Sequence, residues 1–433
     1  MGKRYFARKK SRWEPKLFLI MGIIAGIFAL VLCIPYFWPQ GSESLQKTNI
    51  ALDGDGMALL EEAYALIAQG AVEEAEETIQ PLLAGNDPVT TPRAIILQAD
   101  ITHHRGEPDA ALQLLVEAVD KFRSTREYPF LEERKARQLE AMERFDEARE
   151  IYESLRDNAP PEIRSMGYLG LGRLAERNND LLTARDLYRR AVEDAPWASL
   201  VWEEAVELMG RINVALIFSP METPESRHYI VESGDNLISI GMELNTTQGL
   251  LTKANNIEDA TSLRVGQRLK YTPKDFFIII ERSTCNLYLF DNRGLFKRYR
   301  VGLGKPGHET TLGKYTIGNK QQDPVWHKPG HGPIPAGDPE NELGTRWMPL
   351  VPVEEGLPKD LGIHGTVAPD TIGTFASKGC ARMLNSAVEE LYDLVVRATP
   401  VEIVEAIQDH VSDPVLDETA TDAPAAVPEP PQQ

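Results

Sequence analysis

Cys380 and His364 are the residues of this 433-residue chain whose types and surroundings could do covalent chemistry. Cys380 directly follows Gly379, and Arg382 stands two positions later. His364 lies sixteen residues upstream, beside Gly365. Acyl transfer by a cysteine needs a thiolate, a base to form it and donors for the oxyanion. His364 can serve as the base if the fold brings it close. Lys378 and Arg382 add positive charge, which favours the thiolate. Gly379 lets the backbone approach a substrate closely and helps present N–H groups. Spacing alone makes this a weak signal, because a free cysteine is more often a small buried hydrophobe. Cys285 is read that way, and a Cys285–Cys380 disulfide would remove the nucleophile. No metal or other cofactor is expected, since His327 and His331 lack a ligand set. The two histidines belong either to a substrate cleft or to a surface loop.

The elements that must position this pair are mainly strands. Phe276 to Ile280 and Leu287 to Phe290 are short apolar runs separated by a turn at Ser283 to Asn286. A second turn at Asp291 to Gly294 precedes a strand from Phe296 to Val301. Pro- and Gly-rich loops are expected to dominate Gly302 to Pro358. The segment from Ile363 reads IHGTVAPDTIGTFASKGCARMLNSAVEELYDLV. Its His-Gly-Thr, Ser-x-Gly-Cys-x-Arg and following Leu-Tyr helix resemble the active site of the L,D-transpeptidase (YkuD-type) catalytic domain. VGLGKPGHETTLGKYTIG from Val301 and WHKPGHGPIPAGDPENELGTRWM from Trp326 extend the resemblance over residues 275–405.

The resemblance implies a mainly-β, sandwich-like domain that cross-links peptidoglycan stem peptides or attaches proteins to them. It implies Cys380 as nucleophile and His364 as general base and acid, with the Gly365 carbonyl orienting the imidazole. N–H groups around Gly379 and Cys380 would form the oxyanion hole, and Arg382 would order the loop or bind a stem carboxylate. Trp326, His327, Arg346 and Trp347 are the substrate-cleft candidates. Lys378 stands where many members carry His, and Ala381 replaces a commoner β-branched residue. Water as acceptor would make the same chemistry an L,D-carboxypeptidase. A third reading is a non-catalytic, wall-binding scaffold, against which the intact Cys/His pair argues.

Upstream of this domain, after a breaker-rich linker at Pro220 to Ser226, residues 227–272 read strand, helix, helix, strand. The strands are expected at Tyr229 to Val231 and Arg268 to Tyr271, and the helices at Leu237 to Leu244 and Gln248 to Ala254. Ser233, Gly234 and Asp235 supply the turn and cap. Tyr229, Val231, Gly234-Asp235, Leu237, Ile240, Leu250, Asn255, Ile257, Leu263, Gly266-Gln267 and Leu269 resemble the LysM domain, which implies a small β-α-α-β fold that binds N-acetylglucosamine-containing glycan. The implied groove lies near Gly234, Asp235, Asn236, Leu237, Asn255 and Asn256.

Residues 57–215 are rich in Ala, Leu, Glu and Arg with helical periodicity. Ala75, Ala111, Ala148 and Ala184 recur, each followed four residues later by Ile79, Leu115, Tyr152 or Tyr188. Turns are expected at Gly70, Gly106, Arg144 and Asn179. The best unit, Leu171 to Pro196, resembles the tetratricopeptide repeat, which implies an α-solenoid. These repeats serve either to dock a protein partner or to space the next domains from a membrane.

The membrane reading comes from the N-terminus. Residues 1–16 carry seven basic side chains and one acid, and Leu17 to Ile34 contains no charge and no proline. An apolar run with an aromatic end at residue 38 matches a single span of residues 17–38. The basic flank places residues 1–16 in the cytoplasm and the rest outside, in the periplasm or cell wall of a bacterium. Residues 39–56 read as a linker and 409–433 as a disordered acidic tail. The net charge is −19, so nucleic acid is not an expected partner. Residues 51–210 carry 33 acidic and 17 basic side chains and hold most of that excess. The whole chain is thus expected to be multidomain: one transmembrane helix, a TPR-like solenoid, a LysM domain and a mainly-β catalytic domain.

Overall fold

The computed structural model describes residues 54–407, apart from 158, 159 and 329. The expected membrane span at 17–38, most of the first linker and the tail lie outside the described residues. Among the described residues no helix is long and apolar enough to cross a membrane. The described residues divide into two compact units: 54–178 with Leu187–Ala205, and Asn179–Asp186 with 206–407.

The repeat region is a run of helices: α1 (Gly54–Ala68), α2 (Val72–Ala84), α3 (Thr90–His104), α4 (Pro108–Lys121), α5 (Tyr128–Ala141), α6 (Phe145–Arg156), α7 (Pro161–Arg177), α8 (Leu181–Asp194) and α9 (Leu200–Ile217). The first helix begins at Gly54, inside the expected linker, with Asp55 in its first turn, where a carboxylate favours the helix N-terminus. Gly70, Gly106, Glu143 and Asn179 have positive φ and end the first helix of each pair. The third turn is therefore at Glu143 rather than Arg144, although a non-glycine residue there costs about 1 kcal/mol. Ala75, Ala111, Ala148, Ile79, Leu115, Tyr152 and Tyr188 are fully buried, as the small-then-large spacing requires. Within the first unit, a Cβ at Gly170 would strike the Tyr152 ring, and one at Gly172 the Tyr188 ring. The two glycines thus make room for the two tyrosines. Arg173 pairs with Glu140 at 2.7 Å and Glu204 at 3.0 Å, and Arg137 pairs with Glu204 at 2.7 Å. Part of the acidic excess is consumed in these internal pairs.

The second unit carries the LysM-like segment: β1 (Arg227–Ile230), α10 (Leu237–Glu243), α11 (Gln248–Ala254) and β2 (Arg268–Tyr271). β1 and β2 pair antiparallel around Val231, Leu237, Ile240, Leu251 and Leu269. The expected linker before it does not leave it loose. The Lys270 ammonium donates to the carbonyls of Leu216 and Ser219 at 3.0 and 2.6 Å, which caps the end of α9.

The third element group is β3 (Phe277–Glu281), β4 (Asn286–Asp291), β5 (Gly294–Arg300), β6 (Leu303–Gly304), β7 (Gly313–Ile317), β8 (Gln321–Gln322), β9 (Arg346–Pro352), β10 (Gly362–His364), β11 (Phe375–Ser377), β12 (Ala381–Arg382), α12 (Asn385–Leu394) and β13 (Pro400–Val404). The main sheet runs β12-β10-β9-β7-β13-β3-β4-β5, with β8 also on β9. A parallel pair, β6 and β11, lies apart from it. The region expected to be mostly loop thus contributes β7 and β9 to the middle of the sheet. Neither strand announces itself, because Gly313, Pro349 and Pro352 interrupt the apolar pattern. The core joins Ile278, Ile280, Leu287, Tyr315, Met348, Ile363 and Val401 to Val388 and Leu391 of α12. Leu250 and Ala254 of α11 belong to the same core. Thr247 donates to the Asp393 carbonyl at 2.5 Å, and Lys253 pairs with the Asp393 carboxylate at 2.8 Å. A Cβ at Gly249 would press on that carboxylate, so glycine lets Asp393 reach α11.

Candidate active site

The sheet brings the two reactive residues together through one register. β10 and β12 pair in parallel, with Ile363 opposite Ala381 and His364 opposite Arg382. Cys380 therefore lies next to Gly362, two residues along the ladder from His364. A two-residue offset of ~3.3 Å per residue across a ~4.8 Å strand gap separates their Cα atoms by about 8 Å. Alternation then decides the faces. Ile363, Ala381 and Met348 are buried in the core, so His364, Arg382 and Trp347 point to the opposite side.

His364 is buried, and its Nδ1 lies 2.7 Å from the Gly365 carbonyl. A carbonyl can only accept, so Nδ1 carries the proton and Nε2 keeps its lone pair as the base. This is the orientation expected of Gly365. Burial lowers the imidazole pKa to about 4; the Gly365 carbonyl opposes this and Arg382 adds to it. Trp347 lies opposite His364 on β9, with ring centroids 5.7 Å apart. A Cβ at Gly362 would strike the Trp347 indole, so this glycine lets Trp347 reach the imidazole.

The nucleophile sits on a strained turn. Gly379 has φ +123°, which favours glycine over any L side chain. The Ser377 hydroxyl accepts from the Gly379 N–H at 3.1 Å and donates to the Cys380 carbonyl at 2.7 Å. The Gly379 N–H expected to face an oxyanion is thus already engaged. Gly379 shapes the turn, and the Cys380 N–H is the remaining candidate of that pair. Burial raises the thiol to about 11, with the Gly362 N–H pulling it down and Asp360 pushing it up. Arg382 pulls the thiol down, as its charge implies, but burial outweighs it, and the guanidinium also donates to Glu342 at 2.8 Å. Both shifts favour the neutral forms of the thiol and the imidazole. Cys285 is a separate, buried free thiol at φ +53° in the β3–β4 turn, and no disulfide joins it to Cys380.

The cleft candidates divide. Trp347 stands beside the base. Arg346 projects from the other face of β9, with its guanidinium 5.4 Å from the Tyr392 ring of α12, so it supports the helix instead of lining the cleft. Trp326 and Ile334 bridge the neck of an excursion between β8 and β9. His327 and His331 are exposed on it. The buried Asn341 side chain holds this excursion by donating to the carbonyls of Pro324 and Pro335 at 2.8 and 3.0 Å.

Asn385 escaped the sequence reading. At the start of a helix it reads as an ordinary cap. Instead its Oδ1 accepts from Thr366 N–H at 3.1 Å and its Nδ2 donates to the Thr366 carbonyl at 3.0 Å. A Cβ at Gly365 or Gly344 would collide with Oδ1. Asn385 thus clamps the segment whose carbonyl orients His364. Ser377, the first residue of the Ser-x-Gly-Cys-x-Arg motif, ties the turn that presents Cys380.

Four of the six glycan candidates hold the fold. Leu237 is buried in the LysM core. The Asp235 carboxylate accepts from Glu232 N–H at 2.7 Å and Tyr229 O–H at 3.0 Å. Asn236, rather than Ser233 to Asp235, caps α10, in a reciprocal box with Ser239. Asn255 fixes α11 to β2 through Leu251 and both polar groups of Lys270. Gly234 and the exposed Asn256 remain open, both with positive φ.

Comparison with known proteins finds three family matches along the chain. The L,D-transpeptidase catalytic domain profile (YkuD) matches residues 275–403, the LysM domain 229–272 and the tetratricopeptide repeat 134–198. The Bacillus subtilis protein YkuD is 32% identical over 183 residues, covering 40% of this chain and 97% of the relative. YqjB of Bacillus subtilis is 31% identical over 134 residues, covering 31% of this chain and 73% of the relative. Both carry the L,D-transpeptidase name. A nearly full-length relative above 30% identity, laid over a domain that presents a cysteine and an oriented histidine on adjacent strands, places this chain in the YkuD-type L,D-transpeptidase family.

Proposed function

We propose that this L,D-transpeptidase works through a Cys380 acyl-enzyme on peptidoglycan stem peptides. The observation that carries the reading is the β10–β12 register, which sets Cys380 two residues from an imidazole whose Nδ1 is fixed on Gly365. As sulfur attacks the carbonyl carbon of the third stem residue, its proton passes to His364 Nε2. The Cys380 N–H faces the developing oxyanion. Collapse breaks the bond to the fourth residue, and His364 returns the proton to the departing D-alanine amine. An acceptor amine then gives a proton to His364 and attacks the thioester, and sulfur leaves and takes that proton back from His364. Because thiol and imidazole rest neutral, the proton moves only as the substrate arrives, and oxyanion stabilisation must drive it.

The LysM segment, fastened to α12 through Asp393, presents wall glycan to this site in a fixed direction. The apolar run 17–38 anchors the chain in the bacterial inner membrane with the catalytic domain outside. The repeats offer a docking surface for a protein partner. Incubating the purified extracytoplasmic chain with disaccharide-tetrapeptide, with and without an acceptor stem, tests the reaction. Cross-linked dimer is the expected mass. Tripeptide alone makes it a carboxypeptidase, and sedimentation with sacculi without turnover makes it a scaffold.

A further inference from the structure

We propose that the cavity beside the catalytic strand is a carboxylate-recognition subsite built by Lys305, Lys328 and Lys378. It makes the enzyme select peptide stems bearing free carboxylates over the same stems with amidated carboxylates. The proposal rests on the stem-peptide reading above and adds what part of the stem is recognised.

The cavity has a volume of about 590 Å³ and is lined by these three lysines together with Arg382, Glu340 and Glu342. That volume is in the range that holds a small ligand or peptide fragment. Its position follows from the chain. Lys378 and Arg382 flank Cys380 by two residues on either side, and Thr366 on its wall lies two residues beyond His364. The Lys305 N–H donates to the Ser377 carbonyl at 3.0 Å, which pins Lys305 beside Lys378. Its wall thus shares the two segments that carry the reacting pair, although neither Cys380 nor His364 lines it.

Its charge is unusual for this protein. Arg382 and Glu342 neutralise each other at 2.8 Å. No ion pair engages Lys305, Lys328 or Lys378 among the described residues. The exposed Glu340 offsets one of them, leaving two net positive charges. Five other lysines of the same unit are engaged, whereas Lys314 and Lys359, like these three, have no ion pair among the described residues. Lys253, Lys274 and Lys297 pair with Asp393, Asp291 and Glu390, and Lys270 and Lys320 cap carbonyls. Three lysines without an ion pair, lining one cleft in a chain of net charge −19, favour a small polyanion. The Lys328 ammonium lies 5.2 Å from the Trp326 ring, so the excursion between β8 and β9 brings its own cation to the site. A carboxylate gains charge-assisted hydrogen bonds from such ammoniums, whereas the isosteric amide presents no charge.

The test compares a tetrapeptide stem as free acid and as side-chain amide. Two readouts are used: D-alanine release by the active protein, and binding to the Cys380→Ala protein by calorimetry. The expected result is an acid-over-amide preference of about tenfold or more in kcat/KM, carried by KM and weakened by salt. The triple variant K305Q/K328Q/K378Q should bring the preference to within about threefold, and so should each pair of substitutions in part, which guards against a triple variant that does not fold. Turnover of both stems with equal kcat/KM overturns the subsite and leaves the transpeptidase reading standing. Acid-selective binding without turnover supports the subsite and overturns the transpeptidase reading. Neither turnover nor selective binding overturns both. An unchanged preference in the folded triple variant also overturns the subsite.

Discussion

The neutral resting state of Cys380 makes a quantitative prediction about its reactivity. A thiol at about 11 is ionised to roughly 1 part in 10⁴ at pH 7, against roughly 1 in 100 for an ordinary cysteine at 9.0. Alkylation by iodoacetamide, followed by intact mass, should therefore be about 100-fold slower than for an unhindered cysteine. It should rise about tenfold per pH unit from 7 to 10 with no plateau. Cys285 is 2% exposed and supplies the unreactive internal control. The structure also names a lever. Arg382 stands two residues from Cys380, and Glu342 compensates its charge. Arg382 already pulls the thiol down, and Glu342→Gln strengthens that pull. One full charge at roughly 8 Å and an effective dielectric constant of about 20 sets the upper limit, about 2 kcal/mol or roughly thirtyfold more thiolate. The pH profile should keep its slope and shift toward lower pH by no more than about 1.5 units. A rate independent of pH between 5 and 8 in the unsubstituted protein would refute the argument, because it reports a preformed thiolate–imidazolium pair.

Other consequences are more direct. His364 has its folded pKa depressed to about 4 from an unfolded value near 6.5, so its contribution to stability is present above pH 6.5 and is lost as pH falls toward 4. Thermal unfolding should lose up to about 3 kcal/mol across that window, and His364→Gln should remove this part of the acid sensitivity. Asn385→Ala leaves the Thr366 N–H without its acceptor, at a cost of about 1–3 kcal/mol. Its kcat should fall by about tenfold or more because the Gly365 carbonyl is no longer held; unchanged kcat in a folded variant contradicts the clamp. Gly249→Ala should destabilise the LysM–catalytic seam by driving a methyl into Asp393, and a pulldown on sacculi should fall less than turnover on intact wall.

Chemistry that follows from residue type was legible in the sequence, and chemistry that depends on neighbours was not. His364, Gly365 and Cys380 read as a set because nucleophile, base and orienting carbonyl lie within one continuous segment. The boundaries of strand β2 and helix α11 were equally local. The state of the thiol was not legible, because Glu342, forty residues before Arg382, compensates the guanidinium and burial outweighs it. Arg346 and Trp347 are adjacent in sequence, yet the pleat sends one to α12 and the other to His364. Only register could separate them. Asn255, Asn236 and Asp235 look like sugar-binding groups by type, but each uses its side chain to hold the LysM fold. Asn385 went unnoticed for the converse reason, since its partners lie on two segments that only the sheet brings together. The repeat turns show the same limit on a small scale, as Glu143 takes a conformation that its type disfavours.

The central claim is that Cys380 carries the acyl group. Intact-protein mass spectrometry after incubation with a disaccharide-tetrapeptide stem tests it most directly. The account predicts a single adduct equal to the stem minus D-alanine, labile to hydroxylamine as a thioester is, absent from Cys380→Ala and accumulating slowly in His364→Gln. An adduct of the same mass on the Cys380→Ala protein, or turnover by that protein at the unsubstituted rate, would contradict it.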